Sequence, residues 1–123
     1  MTYQGEFLND KAHGFGSAKR KDGSVYKGQW AHNKQQGEGE ESWPSGARYQ
    51  GAYEDGQRQG FGTFYWPDGS LYEGDWKENK IQGLGKMSFS DGRSYEGSWE
   101  NNEMHGEGVF SWKDGRRYEG SYR

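Results

Sequence analysis

The sequence predicts an all-β protein, an elongated, single-layer, twisted antiparallel sheet made as a meander of β-hairpins with a 23-residue repeat. A tyrosine returns every 23 residues along the 123-residue chain, which is typical of a repeat array. The residues after each tyrosine alternate with a period of two, as strands do. Aromatic residues reach 17% although only 28% of the chain is hydrophobic, so rings supply much of its apolar surface.

The array is expected to form one domain, residues 1–123. Its repeats are predicted at 3–25, 26–48, 49–71, 72–94 and 95–117, with a half repeat at 118–123. The half repeat begins a hairpin that this sequence does not complete. We therefore expect either a segment of a longer array or pairing of this edge strand, at Tyr118, Gly120 and Tyr122, with a strand of another copy.

Each repeat reads as strand, turn, strand, turn. In the first copy a strand begins at Tyr3, and the polar tract 9–11 forms a turn because Asn and Asp tolerate left-handed backbone angles. A second strand is predicted from about His13 to Arg20. A second turn follows at Asp22-Gly23, a pair that indicates a type I′ hairpin turn with positive φ at both central residues.

Glycine placement predicts how the sheet packs. Of 22 glycines, all but Gly56 fall at the repeat positions of Gly5, Gly14, Gly16 and Gly23. Glycine weakens a strand, so we expect the first three kinds to make room for rings that lie over the backbone. The predicted framework is Tyr26, Trp30, Tyr49, Tyr72, Trp76, Tyr95, Trp99, Gly37, Gly39, Gly60, Gly62, Gly83 and Gly85.

Charge and composition exclude several classes of protein. The net charge is −3, and no repeat has the basic excess of a nucleic-acid-binding surface. There is no cysteine, no apolar stretch of membrane-spanning length and no secretory leader, so we expect a cytoplasmic protein. The run Lys19, Arg20 and Lys21 is a weak lipid-binding patch at most, since each basic residue contributes about 1 kcal/mol.

Catalytic signals are absent from the sequence. His13, His32 and His105 are far apart in sequence, and each aspartate before a glycine suits a turn. The x-Gly-x-Gly motifs lack the Gly-Lys-Ser/Thr sequence of a phosphate-binding loop. We expect no enzyme activity, no metal site and no cofactor.

The repeating unit, Tyr-x-Gly-x-aromatic, polar turn, x-Gly-x-Gly, aromatic, Asp-Gly, resembles the MORN (membrane occupation and recognition nexus) repeat over essentially the whole chain. The stretch GFGTFYWPDGSLYEGDW, residues 60–76, is closest to the family pattern. The resemblance implies a sheet of hairpins that acts as a scaffold or protein-interaction module in cytoskeletal, ciliary or membrane-junction assemblies. Ala18, Arg20 and Glu41 depart from it where later copies carry large apolar residues.

The more variable aromatic positions are the candidates for binding a partner. We expect a helix or an extended segment of a protein to lie in a groove on this face. The predicted groove residues are Phe64, Trp66, Met87, Phe89, Phe110 and Trp112. The alternative is a module that directs a larger protein to phosphoinositide membranes.

Overall fold

Eleven β-strands make up the described part of the chain, residues 2–122, in the computed structural model. They form one open antiparallel sheet in which each strand pairs with its neighbours in the sequence. This confirms the predicted meander with two strands per repeat. The strands are β1 (Thr2–Leu8), β2 (Lys11–Lys19), β3 (Val25–Ala31), β4 (Lys34–Ser42), β5 (Arg48–Glu54), β6 (Gln57–Tyr65), β7 (Leu71–Lys77), β8 (Lys80–Ser88), β9 (Ser94–Glu100), β10 (Glu103–Ser111) and β11 (Arg117–Tyr122).

The tyrosine that begins each repeat packs against glycine backbone. Gly51 pairs with Gly62 across β5 and β6, and a Cβ atom on Gly62 would lie 2.5 Å from Cε1 of the Tyr49 ring. Tyr49 is fully buried, and its hydroxyl donates a hydrogen bond to the Ala52 carbonyl at 3.0 Å. Burying a ring removes about 150–250 Å² from water, so these rings stabilise the sheet. The same packing joins Tyr3 to Gly16, Tyr26 to Gly39, Tyr72 to Gly85 and Tyr95 to Gly108.

The glycines equivalent to Gly14 do not lie under rings, contrary to the prediction. A Cβ atom on Gly37 would meet the side chain of Gln29 instead. What these positions require is a left-handed backbone, which glycine adopts without a steric penalty. The φ angle is 79° at Gly37, 96° at Gly60 and 100° at Gly83.

The second strand of each repeat begins about two residues earlier than predicted, at Lys11 in the first copy. Phe7 pairs with Ala12, and the register then shifts before Gly5 pairs with Gly16. This irregularity sets three residues of β2 opposite one of β1 and so preserves the alternation, and position 12 lies on the ring-bearing face opposite the ring of position 7. The residues placed there are Ala12, Gln35, Arg58, Ile81 and Met104.

Of the two turns in each repeat, the polar turn has the left-handed backbone angles predicted for it, whereas the Asp-Gly turn does not have the predicted type I′ geometry. The turn within the hairpin has positive φ at both central residues, 51° at Asn9 and 66° at Asp10, as in a type I′ turn. At the Asp-Gly turn only Gly23 has a positive φ, 91°, so the type I′ prediction there is wrong. Asp22 instead accepts hydrogen bonds from the hydroxyl and backbone N–H of Ser24 at 2.6 and 2.8 Å, which hold the pKa of its carboxyl below the usual value.

The hairpin turn at Glu78 offers a stabilising substitution. Its φ of 51° lies in the left-handed region, which asparagine tolerates better than glutamate. We expect Glu78→Asn to raise the free energy of unfolding by about 0.5–1 kcal/mol, as measured by urea denaturation. Glu73→Asn, with the same charge change inside β7, is the control and should not stabilise. Equal stabilisation by both would assign the effect to charge rather than to φ.

Side-chain hydrogen bonds link each repeat to the next. Trp76 Nε1 donates to the Gly62 carbonyl at 3.1 Å, and the Arg58 backbone N–H donates to Asn79 Oδ1 at 2.8 Å. The Glu78 backbone N–H donates to Gln59 Oε1 at 3.0 Å. Because equivalent bonds recur along the array, neighbouring repeats are held in one register.

Candidate partner-binding groove

The aromatic residues of the ring-bearing face divide into buried and half-buried sets. Tyr26, Tyr49, Tyr72 and Tyr95 are each 0% exposed, so a partner cannot contact them. The residues across the strands from these tyrosines, and those two positions nearer the Asp-Gly turns, keep part of their surface open. We call six of these half-buried residues the groove: Phe64, Trp66, Met87, Phe89, Phe110 and Trp112.

One end of the groove is an aromatic cluster around Phe64. The ring centroid of Phe64 lies 4.8 Å from that of Trp66, 5.5 Å from that of Trp43 and 6.1 Å from that of Trp76. These separations fall in the range of favourable aromatic pairs. The rings therefore support one another while their outer surfaces remain accessible.

The other end of the groove is a second cluster around Phe110. Its ring centroid lies 4.9 Å from that of Trp112 and 6.1 Å from that of Phe89. Between the two ends, Met87, Trp66 and Phe89 line a shallow depression together with polar groups of the neighbouring turn. The six groove residues thus form a continuous apolar strip across β6 to β10.

A charged cluster lies on the same face, beside Phe64. The Glu41 carboxylate contacts Arg20 Nη1 at 2.9 Å and Arg58 Nη1 at 3.6 Å. Tyr53 donates its hydroxyl hydrogen to Glu41 Oε1 at 2.6 Å. Burial and, secondly, the Glu41 charge raise the pKa of Tyr53 above its usual value, so the phenol stays protonated and remains a donor.

Arg58 lies among rings and was not recognised from the sequence. Its guanidinium carbon is 5.3 Å from the ring centroid of Trp76, 5.6 Å from that of Tyr49 and 5.9 Å from that of Trp43, within the range of cation–π attraction. The predicted second strand begins at the equivalent of His13, which in this copy is Gln59, and so leaves out Arg58, although Arg58 has the same parity as Gly62 and Phe64 on this face. A signal was present, since Arg58 is the one charged residue in an otherwise uncharged series at that repeat position.

The opposite face carries exposed apolar residues and part of the basic run. Phe15, Phe61 and Leu84 are 62–65% exposed. Arg20 follows the end of β2 and lies on the ring-bearing face, where it contacts Glu41. Lys19 is the last residue of β2 and projects to the other side, because successive side chains of a strand alternate between the faces. The three basic residues predicted as a lipid patch, Lys19, Arg20 and Lys21, therefore do not share one surface.

The predicted edge strand is β11, which pairs with β10 through Phe110–Tyr118 and Gly108–Gly120. Tyr118 is 47% exposed, and a Cβ atom on Gly120 would lie 2.8 Å from its hydroxyl oxygen. The backbone of Tyr122 ends the strand, and Arg123 lies outside the described residues. Association of this edge with another copy stays a prediction.

Two of the three histidines meet in the fold although they are distant in sequence. The ring centroids of His13 and His32 lie 5.8 Å apart, and His105 Nε2 lies 3.2 Å from Glu100 Oε2. Residues 2–122 hold no group of three His, Asp or Glu side chains arranged to bind a metal ion. The same residues include no helix that is long and apolar enough to cross a membrane.

Comparison with known families agrees with this strand pattern. A family model described as "MORN repeat" matches five consecutive stretches, residues 3–25, 26–48, 49–71, 72–92 and 95–116. A search of curated proteins gives no significant match. Since the family model covers most of the sequence and every match coincides with one pair of strands, the chain belongs to the MORN repeat family.

Proposed function

We propose that this chain is a non-enzymatic scaffold whose groove holds a segment of a partner protein. MORN repeats are generally non-enzymatic modules that interact with membranes or proteins. The observation that carries the proposal is the half-buried state of all six groove residues on a sheet face with no covering layer among residues 2–122. A contiguous apolar strip that is rimmed by polar residues is typical of an interaction site.

An amphipathic α-helix laid across the strands suits the groove better than an extended peptide. Phe64, Met87 and Phe110 lie on β6, β8 and β10, and alternate strands are roughly 10 Å apart. Seven helical residues rise about 10.5 Å, so apolar side chains at every seventh position would match these three residues. An extended peptide rises about 6.6 Å per two residues, which does not match. A cytoskeletal, ciliary or membrane-junction assembly is the setting that the family favours.

Binding to a phosphoinositide membrane receives less support from the geometry. Lys19 and Arg20 project to opposite faces, and Arg20 already contacts the Glu41 carboxylate. Each basic residue near an anionic membrane contributes about 1 kcal/mol of binding free energy, and the remaining basic residues are too dispersed for many of them to reach one membrane surface together. We therefore expect anionic vesicles to sediment little of the protein.

The groove can be tested with Phe64→Glu combined with Phe110→Glu. The probe is a display library of amphipathic helices with apolar residues at every seventh position and random residues elsewhere. We expect the unmodified protein to select binders and the double variant to bind them at least about 30-fold more weakly, because a carboxylate replaces a contact residue at each end. Binding is measured by fluorescence polarisation, and folding by circular dichroism.

The matched control places the same two charges on the opposite face, as Phe61→Glu combined with Leu84→Glu. Phe61 and Leu84 are about as large as Phe64 and Phe110 and are more exposed to solvent. Because they lie on the face opposite the groove, this variant should bind the selected helices as tightly as the unmodified protein does. If both double variants lose binding equally, the groove is not the site. If no helix is selected and anionic vesicles bind the protein tightly, the membrane function replaces the proposal.

A further inference from the structure

The charged cluster Arg20, Glu41 and Arg58 is exceptional on its face of the sheet. The ring-bearing face is formed by the repeat positions of 3, 7, 12, 18 and 20. Among the described residues at these positions, these three are the ones with charged side chains. Both arginines contact the one carboxylate. The cluster therefore holds two positive charges and one negative charge beside an apolar surface.

The positive charge of the cluster is incompletely satisfied. The Arg58 side chain is 19% exposed and that of Glu41 8%. Arg58 Nε is buried without a hydrogen-bond partner among the described residues. Its other nitrogens make long contacts, 3.6 Å to Glu41 Oε1 and 3.5 Å to the Asn79 carbonyl. Donors in a poorly solvated site cost free energy until an acceptor reaches them.

The cluster also continues the groove. Trp43 lies between them, with its ring 5.9 Å from the guanidinium carbon of Arg58 and 5.5 Å from Phe64. Arg20 remains 35% exposed, so a chain lying on Phe64 can reach the cluster. Glu41 is on β4, two strands before Phe64 on β6, a distance of roughly 10 Å.

We propose that this cluster selects a helix that carries an Asp or Glu about seven residues from the side chain that contacts Phe64. The carboxylate would balance the net charge of the cluster and accept charge-assisted hydrogen bonds from the guanidinium groups. The inference rests on the proposed function, and it adds the chemistry by which one amphipathic helix is preferred over another. Partner selection by a charged residue next to apolar anchors is a common source of specificity.

Two substitutions by glutamine change the charge of the cluster in opposite directions. Arg58→Gln lowers its net charge to zero, and Glu41→Gln raises it to +2. The probe is a helix selected from the library above, made with Asp and with Asn at the predicted position. For the unmodified protein we expect the Asp helix to bind about tenfold more tightly. This ratio should fall below about twofold with Arg58→Gln and exceed tenfold with Glu41→Gln.

A readout without any substitution accompanies these variants. In the unmodified protein the Asp-to-Asn ratio should fall as salt is raised, because salt screens exposed charges. A ratio that is the same at all salt concentrations, or in all three proteins, overturns the inference. Selected helices that need Phe64 and Phe110 but lack an acidic residue overturn it while the proposed groove stands. If no helix depends on the groove residues, both proposals fail.

Discussion

Gly62→Val is expected to destabilise the protein strongly, by about 3 kcal/mol. A Cβ atom at this position would lie 2.5 Å from Cε1 and Cζ of the Tyr49 ring, so the ring must leave its place. Tyr49 is fully buried and hydrogen-bonded, and moving its ring exposes apolar surface of the ring and of the residues that pack on it. Urea denaturation measures the loss, and the thermal midpoint should fall by roughly 10 °C or more.

A double-mutant cycle with Tyr49→Ala tests whether the ring is the cause. Once the ring is absent, the added valine has room, and Gly62→Val should cost much less than it does in the unmodified protein. Gly62 has no left-handed φ, so backbone strain does not confuse the comparison. If the two substitutions add their full effects independently, packing of the ring on glycine is not what holds the sheet.

Glu41→Phe alone is the second substitution with a large expected effect, a loss of about 2–3 kcal/mol. It removes the one carboxylate that Arg20 and Arg58 share and leaves Arg58 charged among rings. We expect a loss at or below the lower end of the range for breaking a buried ion pair, because Arg20 is partly exposed and solvent screens its charge. Urea denaturation measures it, and the loss should be smaller in an Arg58→Ile background.

The chain itself supplies the matched control for this cluster. One repeat further on, the places of Glu41, Tyr53 and Arg58 are taken by apolar residues, namely Phe64, Trp76 and Ile81. Replacing the first set by the second should give a protein within about 1 kcal/mol of the original, or more stable, since well-packed apolar residues often replace a buried ion pair without loss. A triple variant as unstable as Glu41→Phe alone would show that the cluster is required for folding.

The ring-bearing face has two roles, stabilising the sheet and recognising a partner. If the triple variant folds well but no longer distinguishes Asp from Asn in the bound helix, the cluster serves recognition rather than stability. Tyr26, Tyr49, Tyr72 and Tyr95 serve stability, because they are fully buried and have no surface for a partner. The groove residues lie between these extremes, since each is half-buried and packs on its neighbours.

Much of the fold could be predicted because its causes are local and recur. Alternation within each repeat predicts strands, and asparagine and aspartate predict the hairpin turns that have positive φ at Asn9 and Asp10. The two wrong predictions, rings over Gly37 and a type I′ turn at Asp22-Gly23, have a common origin. In each case a residue type that has two uses was given the wrong one: Gly37 serves a left-handed φ rather than close approach, and Asp22 accepts hydrogen bonds from Ser24 rather than adopting a positive φ.

The 23-residue spacing of tyrosine and glycine by itself determined the class of the protein, an antiparallel repeat sheet of the MORN family, because every copy must solve the same packing problem with the same residues. The tertiary structure decided which residues meet. The register shift in each hairpin sets position 12 opposite position 7, as Arg58 opposite Tyr53, and pairing of successive repeats then places Arg58 within reach of Glu41. Contacts between residues seventeen apart in sequence depend on that register shift, which alternation alone does not contain.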